Sequence, residues 1–349
     1  MKNRILGLFA ISIFAWGCST EVELNADWKD TTIVFGLIDP AETLHYVRIN
    51  KAFLGDGNAL TMAMVQDSSE YKNLVAVVEE LSGTTVMRSW TLRDTILSDR
   101  PTTGIFYAPD YKIYYFTEST LNQQYTYRIR IDIAEQNNKV VTGSTELVQD
   151  FTVTPPITFG MASNSIGNNT YYFPAIKWGK SPNGARYEVM LRLKFDEYTA
   201  TTTTRKILEW SQGAFDPATA NMAGLNFIHN VDGEGFYKFI ASQVAVDPNV
   251  ISRRFRAIDM IVYAASEELY TYIQLSSPSN GIVQERPEYT NVDNGLGLFS
   301  SRLHVIAVNK YISEFSMEEL CLGTYTKIQK DLKFCTDSSV YFSKPYYCP

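Results

Sequence analysis

Between residues 31 and 153 the chain runs through about eight short strand-like segments, each closed by turn-forming residues, a pattern that fits an antiparallel sandwich better than other architectures. TTIVFGLID and LHYVRINKAF are separated by Asp39-Pro40. LVAVVEEL and TTVMRSWTL are joined by Ser82-Gly83 in the manner of a hairpin. GIFYAP, YKIYYF, YTYRIRIDI and residues 139–153 follow. Tyr127, Ile129, Ile131 and Ile133 recur with the two-residue period of a strand and supply an inward face. Pro155-Pro156 ends this unit, because neither proline can donate to a sheet ladder.

A polar connector at residues 157–170 leads into a second unit with a different texture. Trp178 precedes Tyr187 by nine positions in AIKWGKSPNGARYEVMLRLKF, which resembles the core-tryptophan and Tyr-x-Val strands of a fibronectin type III module. Leu121 and Tyr127 of the first unit likewise fall at the spacing of a fibronectin-type tyrosine corner, whose phenol bonds back to nearby backbone. TTTTRKILEWS reads as a threonine-rich edge strand. The period then lengthens: Phe236, Phe239, Ile240 and Val244 recur at helical spacing before the Asp247-Pro248 stop. RFRAIDMIVYAA returns to strand, and SEELYTYIQL reads as a short helix capped by Ser266 with Glu267 and Glu268 in its first turn. The expected fold is therefore mainly β: an immunoglobulin-like sandwich over residues 31–156, and a fibronectin III-like sandwich with helical insertions and a C-terminal extension over residues 157–349.

The N-terminus reads as an address. Lys2 and Arg4 precede an apolar run at residues 5–16, too short for a bilayer span of roughly 20 residues. Gly17-Cys18 closes it like a bacterial lipobox, although Ala15 and Trp16 depart from the usual residues there. Residues 1–17 are thus expected to be a lipoprotein signal peptide, with Cys18 as the lipid anchor and residues 18–30 an acidic tether. The alternative is a cleaved secretory leader with Cys18 an ordinary thiol. In the lipoprotein reading, acyl chains on Cys18 would hold the protein to the membrane. The chain carries 31 basic and 38 acidic residues, for a net charge of −7, and has no Lys/Arg run. That balance excludes nucleic acid as an expected partner.

Beyond Cys18 the cysteines are Cys321, Cys335 and Cys348, an odd set that allows one internal disulfide. The expected pair is Cys321–Cys335, because Cys348 lies one residue from a terminus that tends to fray. A Cys₃ zinc site lacks a CxxC pair, and neither metal nor cofactor is expected.

Residues 287–302, PEYTNVDNGLGLFSSR, are the most motif-like stretch. They lack the third glycine and the βαβ context of a dinucleotide loop, and the twelfth-position acid of a calcium loop. The expectation is a turn at Asp293-Asn294-Gly295 with glycines that allow close backbone packing, leaving Asp293 and Arg302 as possible partner contacts. Of the three histidines, His45 is expected to face solvent or a loop, and His229 is the most site-like because Asp232 and Glu234 follow it. No HExxH, GxSxG or P-loop pattern is present, and no catalytic residue is assigned. Glu79-Glu80, Glu267-Glu268 and Glu318-Glu319 read as solvated faces. Tyrosine doublets at 114–115, 171–172 and 346–347 must point to opposite sides of their strands, so one member of each is expected at the surface.

GLID…HYVRINKAFLG, GIFYAPDYKIYYF, the 287–302 stretch and MEELCLGTYTKIQKDLKF resemble an uncharacterised family of Bacteroidota outer-membrane lipoproteins with immunoglobulin-like N-termini, often encoded beside TonB-dependent receptors. The resemblance implies an outer-membrane address and a non-catalytic role. Such a protein would bind a TonB-dependent receptor, another envelope protein or a nutrient within a transport or assembly complex. The alternatives are an envelope glycan hydrolase using paired carboxylates, which leave no spacing signature, and a carbohydrate-binding module. Aromatics gathered in one concave patch, or two carboxyls facing across a cleft, would separate them.

Overall fold

The computed structural model describes residues 31–52, 69–98, 110–163, 170–276, 288–336 and 346–348. The leader, the tether, Cys18 and GIFYAP lie outside the described residues. The fold is mainly β, as the alternation predicts, and no described helix is long and apolar enough to cross a membrane.

In the N-terminal half, β1 (Thr31–Ile38) pairs antiparallel with β2 (Leu44–Ala52), which pairs with β6 (Tyr111–Thr117). β3 (Leu74–Ser82) forms a hairpin with β4 (Thr85–Thr91) through Gly83, whose φ of +61° suits a residue without Cβ. TTVMRSWTL forms one strand, β4, as expected. At buried Leu92, whose N–H bonds to the Ala76 carbonyl at 2.9 Å, the chain crosses to the other sheet as β5 (Arg93–Leu97). β7 (Thr126–Ile133) and β8 (Lys139–Glu146) complete a five-stranded sheet whose last member is the short β17 (Val292–Asp293). Tyr127, Ile129, Ile131 and Ile133 are fully buried and face Val34, Val47, Ile49 and Phe116 of the opposite sheet in one core.

The second half is built on long strands: β12 (Arg186–Thr199), β13 (Thr203–Phe215) and β16 (Val250–Ala265). A small sheet from β9 (Val153–Thr154), β11 (Ala175–Gly179), β14 (Met222–Ala223) and β15 (Asn226–Asn230) contributes to the same core. Trp178 stacks on Phe227 with ring centroids 5.2 Å apart, and the Tyr187 hydroxyl accepts from the Ser181 N–H at 2.7 Å. Helices α1 (Gly233–Gln243), α2 (Glu267–Ser276) and α3 (Glu314–Leu322) are the insertions. The apolar stripe of α1 enters the core, with Phe236, Tyr237 and Ile240 buried.

One strand joins the halves. β18 (Gly295–Ile312) runs parallel to β1 from Gly295 opposite Thr32 to Ser301 opposite Ile38. It then pairs antiparallel with β16, from Arg302 opposite Ala265 onward, and its end runs parallel to β10 (Thr158–Phe159). Its Phe299 belongs to the first core, and its Leu303 and Ile312 to the second. The main sheet therefore runs β13-β12-β16-β18-β1-β2-β6-β5. Hydrogen bonding thus crosses the division drawn at residue 156. The expected packing role of the glycines has a direct geometric basis: a Cβ on Gly297, at φ +118°, would lie 2.0 Å from the Val34 carbonyl oxygen.

The disulfide differs from expectation. Cys335 pairs with Cys348, and Cys321 is a buried free thiol within α3. Two backbone bonds explain this: the Thr336 N–H to the Tyr346 carbonyl at 3.1 Å, and the Cys348 N–H to the Thr336 carbonyl at 2.8 Å. They hold the C-terminal residues beside β19 (Phe334–Cys335), so Cys348 lies within reach while Cys321 points into the core.

Candidate functional site

The outer face of the main sheet carries side chains that strand alternation leaves outside both cores. Phe35 on β1, Leu44 and Tyr46 on β2 and Leu296 on β18 are all exposed. Helix α2 stands beside them. Ser266 caps it, its Oγ accepting from the Leu269 N–H at 3.3 Å and donating to Glu268 at 2.6 Å. No residue of α2 is fully buried, so the helix forms a wall rather than part of a core. Between helix and sheet lie two adjoining cavities of about 450 and 350 Å³. They share Phe35 and Tyr272, whose rings meet edge to face with centroids 5.8 Å apart. The larger is floored by Leu44, Tyr46 and Ile113 and walled by Leu269, Tyr272 and Ile273.

A polar cluster closes one end. Asp39, in the turn after β1, is buried, and its Oδ1 accepts from its own turn at the Ala41 N–H, 3.1 Å. Its Oδ2 accepts from His304 Nδ1–H at 2.7 Å and forms an ion pair with Arg302, whose Nε lies 3.5 Å away. The Nδ1–H bond leaves His304 Nε2 facing Glu42, 3.8 Å away and largely exposed. Arg302 and His304 meet Asp39 because they lie two apart on one face of β18 and the parallel register brings Ser301 opposite Ile38. On the opposite edge of the groove, Arg48 donates to Asn50 Oδ1 at 2.6 Å and lies over the Tyr111 ring. The larger cavity therefore offers an apolar, aromatic floor with two guanidiniums, Arg302 and Arg48, and one carboxylate, Glu42, exposed at its rim.

His45 is buried beneath this surface, contrary to its expected solvent-facing position. It stacks on Phe116 at 4.7 Å, and its Nε2–H donates to the Glu118 carbonyl at 3.0 Å. Burial lowers its proton affinity below that of an ordinary imidazole. His229 sits in β15 with its ring against Phe215, and burial lowers its proton affinity too. Glu234 turns away to Tyr325 and Lys238, so the His229, Asp232 and Glu234 grouping suggested by sequence is not assembled.

Two glutamates assigned to solvated faces are buried. Glu80 accepts from Arg88 and the Tyr127 hydroxyl, which hold its carboxyl below the usual range despite burial. Glu319 accepts from the Tyr171 hydroxyl at 3.0 Å and the Thr324 N–H at 3.3 Å, and burial raises its pKa. Both were misread because a doublet places neighbours on different faces, and composition does not say which member faces inward.

Asp293 and Arg302 are separated. Arg302 reaches the groove, whereas Asp293 is exposed beside Thr142 of β8 at 3.5 Å. Asn291 has a structural task in the same stretch. Its amide exchanges two hydrogen bonds with the Phe299 backbone, at 2.7 and 2.9 Å, as a strand neighbour would. Sequence reasoning passed over Asp39, Phe35 and Tyr272; the one local signal was the Arg302-x-His304 spacing on a strand.

A larger cleft of about 570 Å³ lies where Glu146, Lys180, Asp216 and the start of α2 meet. Much of its lining comes from the turns at residues 180–185 and 216–218, and Glu268 there already accepts from Ser266, so it lacks the convergent aromatic surface of the groove. Among the described residues no group of three or more His, Cys, Asp or Glu side chains is set to hold a metal ion. No protein-family model matches this chain, and no curated protein matches it.

Proposed function

We propose that this chain is a non-catalytic, lipid-anchored binding protein of the bacterial outer membrane, which engages a partner protein of a transport or assembly complex through the groove between α2 and the main sheet. The observation that carries the binding role is the continuous apolar surface of Phe35, Leu44, Tyr46, Tyr272 and Ile273. Tyrosine and phenylalanine presented beside an arginine are the side chains that anchor protein interfaces. The address rests on Lys2, Arg4, the apolar run at residues 5–16 and Gly17-Cys18. The resemblance to Bacteroidota lipoproteins supports an envelope partner, such as a TonB-dependent receptor. The immunoglobulin/fibronectin III-like assignment is supported by the Tyr127 and Tyr187 hydroxyls, each tied to backbone of the preceding turn, at Asn122 and Ser181.

Carbohydrate binding is the second reading, favoured by the same gathering of aromatic rings in one concavity. A paired-carboxylate hydrolase has less support. The carboxylates of the larger cavity are Asp39 and Glu42, and Asp39 is buried and held by His304, Arg302 and its own turn.

Pull-down from solubilised membranes tests the reading. Tyr272→Ala and Ile273→Asp, at positions outside both cores, leave the melting temperature near that of the unmodified chain and abolish co-purification of the envelope partner. Retained co-purification would refute the groove assignment. Titration with neutral oligosaccharides tests the second reading, since binding lost in Tyr272→Ala would transfer the groove to a glycan. Cys18→Ser tests the address independently: the protein leaves the membrane pellet, and unchanged fractionation counts against the anchor.

A further inference from the structure

We propose that the outer edge of β13 pairs antiparallel with the same strand of a second copy, about a two-fold axis at Ile207, joining two main sheets into one. β13 ends the main sheet, and no described strand pairs with its outer side. An unpaired edge displays a row of backbone N–H and C=O groups that template another strand.

The register follows from three features. First, pairing with β12 is uninterrupted from Thr203 opposite Tyr198 to Ser211 opposite Met190. Beyond Ser211 the register shifts, and Gly213 takes φ +95°. The regular edge is thus residues 203–211, and its midpoint is Ile207. Second, the faces alternate: Leu208 and Trp210 pack against the core, while Arg205, Ile207 and Glu209 point outward, with Ile207 52% exposed. Third, the outward face is self-complementary. A two-fold axis normal to the sheet at Ile207 sets Arg205 of each copy opposite Glu209 of the other, with the two Ile207 side chains together between them. Opposite charges and apolar pairs directly across strands are the stabilising combinations. Within one copy these charges are steadied by Asp196 and Arg192, at 3.3 and 2.8 Å, which fixes them on the outer face. Lys206, on the opposite face, leans toward Glu197 at 3.8 Å. The surface is isologous, so the assembly closes at two copies.

Sedimentation of the purified full chain, combined with cysteine crosslinking, tests this proposal. The unmodified chain sediments as a concentration-dependent dimer. Ile207→Lys places two like charges on the axis and raises the dimer dissociation constant by about tenfold or more, with an unchanged melting temperature. Directly paired antiparallel residues have Cα atoms about 4.5–5.5 Å apart, within disulfide reach. Ile207→Cys therefore crosslinks to itself on oxidation, beyond the level of the unmodified chain. Thr203→Cys alone does not, but crosslinks when mixed with Ser211→Cys. A chain that is monomeric throughout, or Thr203→Cys crosslinking alone as readily as Ile207→Cys, would overturn the proposal.

Discussion

The two halves solve the same packing problem with different materials. The second core draws on its own strands and helices and includes aromatic stacks: Trp178 on Phe227, and Trp210 on Phe239. The first core is largely aliphatic between its sheets, and a strand from far along the chain completes it, with Phe299 of β18 lying against Gly36 and Gly143. Each half also buries a tyrosine hydroxyl near a turn, but with opposite hydrogen-bond roles. Tyr127 donates to the buried Glu80 carboxylate and to the Asn122 carbonyl, whereas Tyr187 accepts from a backbone N–H. Both halves bury charged groups, Glu80 with Arg88 in the first, and Arg253 with Glu197 and Asp259 with Lys194 in the second. What sets the first apart is its dependence on a strand from far along the chain.

The largest expected effect breaks the second half. Trp178→Ala removes the centre of the aromatic stack and costs about 4 kcal/mol in denaturant unfolding. A cost below about 1 kcal/mol would show that the stack is not the core's keystone. Next is the shared strand: Gly297→Ala forces a side chain against the Val34 carbonyl at positive φ and costs about 3 kcal/mol. Gly213→Ala, also at positive φ but in open space, costs only about 1 kcal/mol. Equal costs would mean that backbone conformation, not the close approach of β18 to β1, sets the penalty.

The tyrosines sharpen the contrast. Tyr127→Phe removes a donor from a buried carboxylate and costs about 2 kcal/mol, while Tyr187→Phe costs about 1 kcal/mol. The smallest effect is the pH response. Burial depresses the proton affinity of His45, so below its ordinary pKa of about 6.5 the unfolded chain binds the proton first. Its contribution is full above that pH and falls as pH drops toward the depressed folded value; His229 acts in the same direction. Glu80, with its pKa lowered, adds a second loss at more acid pH, below the ordinary glutamate value of 4.5. His45→Gln flattens the upper limb only, as melts across pH 5–7 would measure, and an unchanged slope there would assign it to another group.

Much of the architecture was legible because its signals are local. The alternation through Tyr127, Ile129, Ile131 and Ile133 named a fully buried face, and Phe236 with Ile240 named the buried stripe of α1. Ser266 was legible as a cap, and Gly295 and Gly297 as packing glycines. The groove was not legible. Its acid, Asp39, and its base, His304, are 265 residues apart and meet only through the parallel pairing of β1 with β18.

The sequence by itself determined which residues form strands, where turns fall and which strand faces are apolar, since each depends on neighbours within a few positions. Tertiary structure decided the rest. Which glutamate of a doublet is buried depends on which face meets a core. The pairing of Cys335 with Cys348 depends on a backbone ladder that brings the C-terminus back to β19. That β18 serves both halves, and thereby assembles the groove, depends on a register with no local code. Strand pairing is chosen among distant partners by shape and burial, and those exist only once the sheets have formed.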